Sequence, residues 1–320
     1  MTALPEHVIE NSDLAASFGA ETMAKIIKAT GIERRPVSDH HTVSDLGCAA
    51  AEVLLAKLDW ARDSIGLLIV VTQTPDYPLP STACVMQHKL GLGTHVAGFD
   101  ISLGCSGYVY GLSVATAMMQ TAGVARALLV TGDITTRMIS DSNRALAPLF
   151  GDAVAVTALE LSEGGAISFD LGSDGSGAPW LISKTGGLVE PGKAELFMDG
   201  TQVMAFSLKQ VAPSVERALS SAGMEIGAVD HVILHQANAM MLKTLGHKIK
   251  ARDDQMVYAV RDYGNTSSTS IPLAICDHLT NTSVTSDTTF LLCGFGVGWS
   301  WSTTVWRTPA PLCHDIVRVA

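Results

Sequence analysis

The chain is poor in charge: Asp, Glu, Lys and Arg make up 16% of its 320 residues, against about a quarter in an average soluble protein. No apolar run approaches the ~20 residues of a membrane span. Six cysteines (Cys48, Cys84, Cys105, Cys276, Cys293 and Cys313) are dispersed, without a CxxC pair or a Cys/His spacing of the zinc type, so neither a metal site nor a disulfide framework is expected. The N-terminal MTALPEHVIENSDL lacks the basic region and apolar run of a signal peptide; a cytoplasmic protein with reduced thiols is the expectation. Neither GxGxxG in a strand-to-helix turn nor GxxxxGK(S/T) occurs, which removes the common nucleotide fingerprints. Basic residues are also in deficit, 21 against 31 acidic for a formal charge of -10, which works against nonspecific binding to nucleic acid or anionic lipid.

What is present suits a compact α/β enzyme. Apolar residues are 47% of the chain and 29 glycines are scattered rather than clustered, as many tight strand-to-helix turns around a large core require. Segments rich in β-branched residues predict strands at 66–71, 96–102, 127–131, 153–159, 229–234, 255–260 and 289–293. Helical periodicity predicts helices at 43–58, 81–90, 106–121, 203–222, 239–250 and 267–279. Met118, Met119, Met240 and Met241 are expected on packed helix faces.

The order of elements repeats. IGLLIVVTQTPD, FDISLGCSG and ALLVTGD in the first half are matched by VDHVILHQANA, AVRDYGNTS and TFLLCGFG in the second. Thr72 to Cys105 is 33 residues and His235 to Asn265 is 30; Cys105 to Gly132 is 27 and Asn265 to Gly294 is 29. Strands about 30 residues apart are ordinary in α/β proteins, so the case for a duplication rests on the shared order and turns. It divides the chain into halves at 1–163 and 164–320, with 163–200 reading as a junction and surface excursion, irregular apart from one short strand at 166–171, that could cover a substrate site.

Three side chains in these turns could carry chemistry. Cys105, between an apolar strand and a helix, is placed where a helix dipole lowers a thiol pKa, although a small buried cysteine is the commoner case for the residue type. His235 ends a strand, where open α/β sheets place ligands, and Asn265 lies in a Gly-Asn-Thr-Ser turn that could equally be an ordinary cap. Together a Cys, His and Asn suit acyl transfer through a thioester. The turn GFGVGW at 294–299 could present backbone N–H groups to an oxyanion, or simply join two strands.

DISLGCSGYVYGL, LHQANAMML, YGNTSSTSIP and GFGVGWSW, in this order and with ATGIERR and LFGDAVAV, resemble the signatures of the β-ketoacyl-acyl-carrier-protein synthase III family of the thiolase superfamily, over nearly the whole chain. The resemblance implies a thiolase-like fold, two duplicated halves in a five-layer α-β-α-β-α sandwich, usually a homodimer. It implies that Cys105 takes an acyl group from an acyl-CoA or an acyl carrier protein, with the N–H groups of Cys105 and Val297 holding the oxyanion. His235 and Asn265 would then assist decarboxylation of a malonyl carrier thioester, and condensation would give a 3-ketoacyl product for fatty-acid, specialised lipid or polyketide synthesis. Arg144, Asn238 and Phe295 would line the pantetheine arm, and no cofactor beyond these substrates is implied.

The chain departs from the family pattern at Lys25 and Ala29, where a Trp and an Arg clamp the coenzyme adenine, at Met240, where an Arg docks the carrier, and at Val297, a glycine in typical members. Little chain precedes HVIENSDL, so the first strand is expected to be abbreviated or missing. Leu79 and its neighbours are expected to shape the acyl tunnel across the dimer. The alternatives are a family acyltransferase acting on an alcohol or amine, a quinolone- or pyrone-forming ketosynthase, and a noncatalytic partner subunit; retention of Cys105, His235 and Asn265 argues against the last.

Overall fold

The computed structural model describes residues 1–162, 167–282, 284, 286–309 and 312–320. The first half contributes β1 (Thr2–Pro5), β2 (Val8–Glu10), α1 (Ala15–Phe18), α2 (Ala20–Thr30), β3 (Arg34–Pro36), α3 (Val43–Leu58), β4 (Leu67–Val71), α4 (Thr82–Lys89), β5 (Ala97–Ile101), α5 (Gly107–Ala122), β6 (Arg126–Asp133) and β7 (Ala153–Glu160). Then come β8 (Phe169–Ser173), β9 (Leu181–Ser183), β10 (Leu196–Met198), α6 (Gly200–Ala222), β11 (His231–Leu234), α7 (Ala239–Lys248), α8 (Val260–Tyr263), α9 (Ser270–Asn281), β12 (Thr288–Gly296), β13 (Ser300–Thr308) and β14 (Ile316–Val319).

The first sheet has the order β5-β4-β6-β7-β1-β14 and the second β11-β12-β13-β8, extended beyond β11 by a parallel bridge from Val232 to Met256. In both, two parallel pairings are followed by two antiparallel ones: β5-β4-β6, then β7 and β1; the 256 segment with β11 and β12, then β13 and β8. Equal order and equal direction make the two sheets duplicates, as the repeated motifs predict.

Alternation of side chains along buried strands sorts them into layers. In β4, Leu68 and Val70 join a cluster with α3 and α4, while Leu67, Ile69 and Val71 face the other way into a cluster shared with Ile233, Phe290 and Leu292 of the second sheet. In β12, Leu291, Cys293 and Phe295 turn to the opposite side, against α6 and α7. Helices α5 and α9 touch strands of both sheets and form the middle layer; α3 and α4 cover one outer face and α6 the other. This is the five-layer α-β-α-β-α sandwich. On α5, Gly107 and Gly111 let the helix lie close: a Cβ at these positions would meet Val71 Cγ1 at 2.5 Å and Leu129 Cδ1 at 2.7 Å.

Four expectations need correction. The first strand is intact: β1 is buried between β7 and β14. Segment 255–260 is no full strand: it bridges Val232 through two backbone bonds, Val232 N–H to the Gln255 carbonyl at 2.7 Å and Val257 N–H to the Val232 carbonyl at 3.1 Å. Beyond them Gln236 stands in for backbone, its Oε1 accepting the Ala259 N–H at 2.8 Å and its Nε2 donating to the Val257 carbonyl at 3.2 Å. Helix 267–279 begins with a 3-10 turn over Ser267–Thr269 before α9. The excursion 163–200 bears out its one expected short strand, read at 166–171, as β8, an edge of the second sheet, and adds the β9-β10 hairpin; residue 166 and the proposed boundary at 163/164 lie outside the described residues. Of the methionines, Met119 is buried on a helix face but Met240 is 54% exposed. Among the described residues no helix is long and apolar enough to cross a membrane.

Candidate active site

The carboxyl ends of three strand segments in each half converge on one cavity of about 810 Å³. β4, β5 and β6 deliver Gln73, Cys105 and Asp133; β11, the 256 segment and β12 deliver His235, Asn265 and Val297, all of which line it. Equivalent turns of duplicated halves thus bring together the three residues singled out in the sequence. The outer wall comes from α2 (Ile26, Ala29), the β9-β10 hairpin (Leu181, Leu196, Met198), α6 (Val203, Met204) and Met240. Among the described residues, Arg144 and Asp133 are the only Asp, Glu, Lys or Arg in a largely apolar lining.

Cys105 lies one residue before the N-cap of α5 and is buried. Burial, then the nearby Asp133 carboxylate, push its thiol up to about 12, while the Ser267 hydroxyl and the backbone N–H groups of Cys105 and Val297 act in the opposite direction. The expectation of a thiol made acidic by its helix is therefore reversed: desolvation of the charged form outweighs the donors around it. Gly296 packs directly on the thiol; a Cβ there would stand 3.1 Å from Sγ.

His235 is buried with no charge near it, and desolvation pushes its pKa down to about 3. The ring is held edge-on to Phe295, with centroids 5.5 Å apart, and its Nδ1 lies 2.7 Å from Ser270 Oγ. Neutral, it offers one donor and one acceptor. Asn265 accepts the Ser267 N–H on Oδ1 at 2.9 Å, which leaves its NH2 as a donor at the cavity.

A buried polar scaffold fixes the Asn265 turn. The Asn265 N–H donates to the Leu149 carbonyl at 2.8 Å and its carbonyl accepts from Gly151 at 3.1 Å. Beneath this strap, Arg35 donates to the Phe150 carbonyl and to Asn11 Oδ1, both at 2.8 Å, and Asn11 donates to the Pro148 carbonyl at 2.9 Å. Asp152 accepts from the Ser38 N–H at 2.9 Å, and burial pushes its carboxyl up to about 6. These contacts explain ATGIERR and LFGDAVAV as parts of one support.

Phe295 is buried against His235, Asn238 caps α7 by accepting the Met241 N–H at 2.9 Å, and Arg144 is exposed on the rim. Lys25 points its ammonium to Glu21 at 2.7 Å on the surface of α2. Sequence reading missed Asp133, although it ends the strand ALLVTGD in the repeat; it accepts from the Gln73 N–H at 2.7 Å and Ser268 Oγ at 3.1 Å. It also missed Ser270, whose role comes from a partner 35 positions away.

Two matches to known families follow this geometry. Residues 99–175 match the family model described as 3-oxoacyl-(acyl-carrier-protein) synthase III, and residues 219–308 the one described as its C-terminal part. A β-ketoacyl-(acyl-carrier-protein) synthase III of Alkalilimnicola ehrlichii is 34% identical over 311 residues, 95% of this chain and 96% of that protein. The crystal structure of a 3-oxoacyl-(acyl-carrier protein) synthase from Burkholderia xenovorans superposes with a TM-score of 0.96 at 36% identity, covering 99% of this chain and 95% of the other. A priming β-ketosynthase from a polyketide biosynthetic pathway superposes with a TM-score of 0.90 at 28% identity, covering 97% and 95%.

Proposed function

The chain belongs to the 3-oxoacyl-(acyl-carrier-protein) synthase III family and is a condensing enzyme of that acyltransferase type, and from this premise we propose which of its residues perform each step. Cys105, having lost its proton to solvent, attacks the carbonyl of an acyl-CoA or acyl-carrier thioester as the thiolate. The N–H groups of Cys105 and Val297 hold the oxyanion, the departing thiolate takes up a proton in turn, and an acyl-Cys105 thioester remains. A malonyl group on an acyl carrier protein then enters. His235, through Nε2–H, and Asn265, through its amide, donate to its thioester carbonyl as carbon dioxide departs. The enolate carbon attacks acyl-Cys105 to give a 3-ketoacyl product and expels the Cys105 thiolate, which takes a proton from solvent to restore the thiol.

The observation that carries this reading is the convergence of Cys105, His235 and Asn265 on one apolar cavity from equivalent turns of the two halves. Neutral donors set in a desolvated pocket stabilise a developing enolate more than they would in water. The methionines Met198, Met204 and Met240 in the wall suit an acyl group of adaptable shape, and Arg144 at the rim is the cation available to a phosphate of the incoming substrate.

The working unit in this proposal is a homodimer. β5 is the edge of the first sheet, and Leu79, 82% exposed, and Tyr77, 56% exposed, leave large apolar side chains in solvent on the preceding segment. Mass spectrometry of the protein mixed with acyl thioesters tests the chemistry. An acyl adduct on Cys105, followed by carbon dioxide release with malonyl carrier, is expected; condensation by Cys105→Ala at the parental rate would refute it.

A further inference from the structure

The oxyanion-side turn is built almost without side chains. Val297 stands between Gly296 and Gly298, the latter at φ 132°, so the direction of its N–H is left to contacts beyond the two glycines; on the far side of Gly298, Trp299 is anchored by paired backbone bonds with Asp174. We propose that Ser300, clasped to Ser106, is a positioning residue that holds Val297 over the thiol of Cys105. This rests on the reading of Cys105 as nucleophile and Val297 as oxyanion donor.

Ser300 Oγ donates to the Val297 carbonyl at 2.7 Å. Its single hydrogen is thereby committed, so in the 2.7 Å contact between Ser300 Oγ and Ser106 Oγ the hydrogen comes from Ser106. Ser106 directly follows the nucleophile and precedes α5, and Ser302 Oγ donates to the Ser106 carbonyl at 2.8 Å. The chain of hydroxyls thus runs from the Val297 turn to the Cys105 turn, joining residues 194 positions apart. All three serines are buried, at 0%, 3% and 0% exposure for Ser106, Ser300 and Ser302. Buried hydroxyls are costly unless paired, and these pair with one another and with the two turns they join, Ser302 Oγ also reaching the Gly294 carbonyl at 3.5 Å. Val297 lines the same cavity as Cys105, and its N–H acts to lower the pKa of the thiol; the clasp sets its direction.

The test compares Ser300→Ala, Ser106→Ala, their double variant and Ser300→Thr by acyl loading and by the pH profile of Cys105 alkylation with iodoacetamide. Ser300→Ala is expected to lower kcat for loading ~10- to 100-fold with KM within about twofold, less than outright loss of an oxyanion donor. It is also expected to shift the alkylation profile to higher pH, because the displaced N–H no longer stabilises the thiolate. The double variant is expected to be no worse than Ser300→Ala, as residues acting through one clasp are non-additive, and Ser300→Thr, which keeps the hydroxyl, to recover most of the rate. Parental loading by Ser300→Ala, or additive losses with an unmoved alkylation profile, would overturn the proposal. Should Ser300→Ala fail to fold, Ser106→Ala and Ser300→Thr decide by the same readouts. Failure of the underlying reading looks different: the parental protein then shows no acyl group on Cys105.

Discussion

Ser270 Oγ stands 2.7 Å from His235 Nδ1 and 3.3 Å from the Gln236 N–H, which it accepts. Among the described contacts the hydrogen of this buried hydroxyl has no acceptor but Nδ1, and leaving it unpaired would be costly, so the serine donates to Nδ1. The imidazole proton is therefore left on Nε2, at the cavity. Ser270→Ala is expected to lower carbon dioxide release from malonyl carrier ~10- to 100-fold, the usual penalty for removing the group that orients a functional histidine, while acylation of Cys105 stays near the parental rate. Separate single-turnover assays of the two half-reactions check this.

The two steps are expected to differ in pH dependence. A thiol at about 12 is protonated throughout the neutral range, and each unit of pH raises the thiolate fraction tenfold. Loading should therefore climb steadily from pH 6 to 9 without a plateau. His235, pushed down to about 3, is neutral over the same range, so carbon dioxide release from pre-acylated enzyme should be flat. The same shift has a stability consequence. Between an unfolded pKa of about 6.5 and the folded value of about 3, the unfolded chain binds the proton that the folded one refuses. This site therefore weakens folding as pH falls through that window, which urea titrations of the parent and His235→Asn at pH 7.5 and 5 would reveal as a smaller acid loss in the variant.

Gly151→Ala is expected to cost about 1–3 kcal/mol of stability, the range for forced overpacking. A Cβ there would collide with the Tyr263 carbonyl oxygen, a rigid backbone atom. Because Gly151 also donates to the Asn265 carbonyl, the residual folded enzyme should lose carbon dioxide release more than loading. Denaturant melts and the two half-reaction assays measure both effects.

Leu79→Asp is expected to turn a dimer into a monomer at micromolar concentration, by placing a charge where 82% of an apolar side chain would meet the second copy. Sedimentation velocity decides it; a monomeric parent would refute the proposed assembly.

Much of the fold was legible because the duplication writes itself twice: VVTQ and LHQA, LGCSG and YGNTS, VTGD and CGFG end strands at matched places. Alternation in LLIVV and TTFLLCGFG foretold burial on both faces. What escaped depends on partners far away in sequence. β14 is four residues, IVRV, and is a strand only because β1 offers an edge about 300 positions earlier. Segment 255–260 has strand composition, yet beyond its bridge to Val232 one glutamine amide takes the place of the neighbouring backbone. Position at a helix start suggested an acidic Cys105, but depth of burial, which a sequence does not display, decides the sign. Ser270 and Ser300 are ordinary serines until their partners are located.

The pairing of β14 with β1 joins segments about 300 positions apart and so orders events during synthesis. Thr2 to Pro5 are made long before Ile316 to Val319, and their register of Thr2 with Ile316 through Pro5 with Val319 can close only once residue 319 has been made. Until then one edge of β1 is unsatisfied. Chains interrupted before residue 316 keep that edge open, a ready signal by which chaperones and proteases can tell such a copy from one that carries β14.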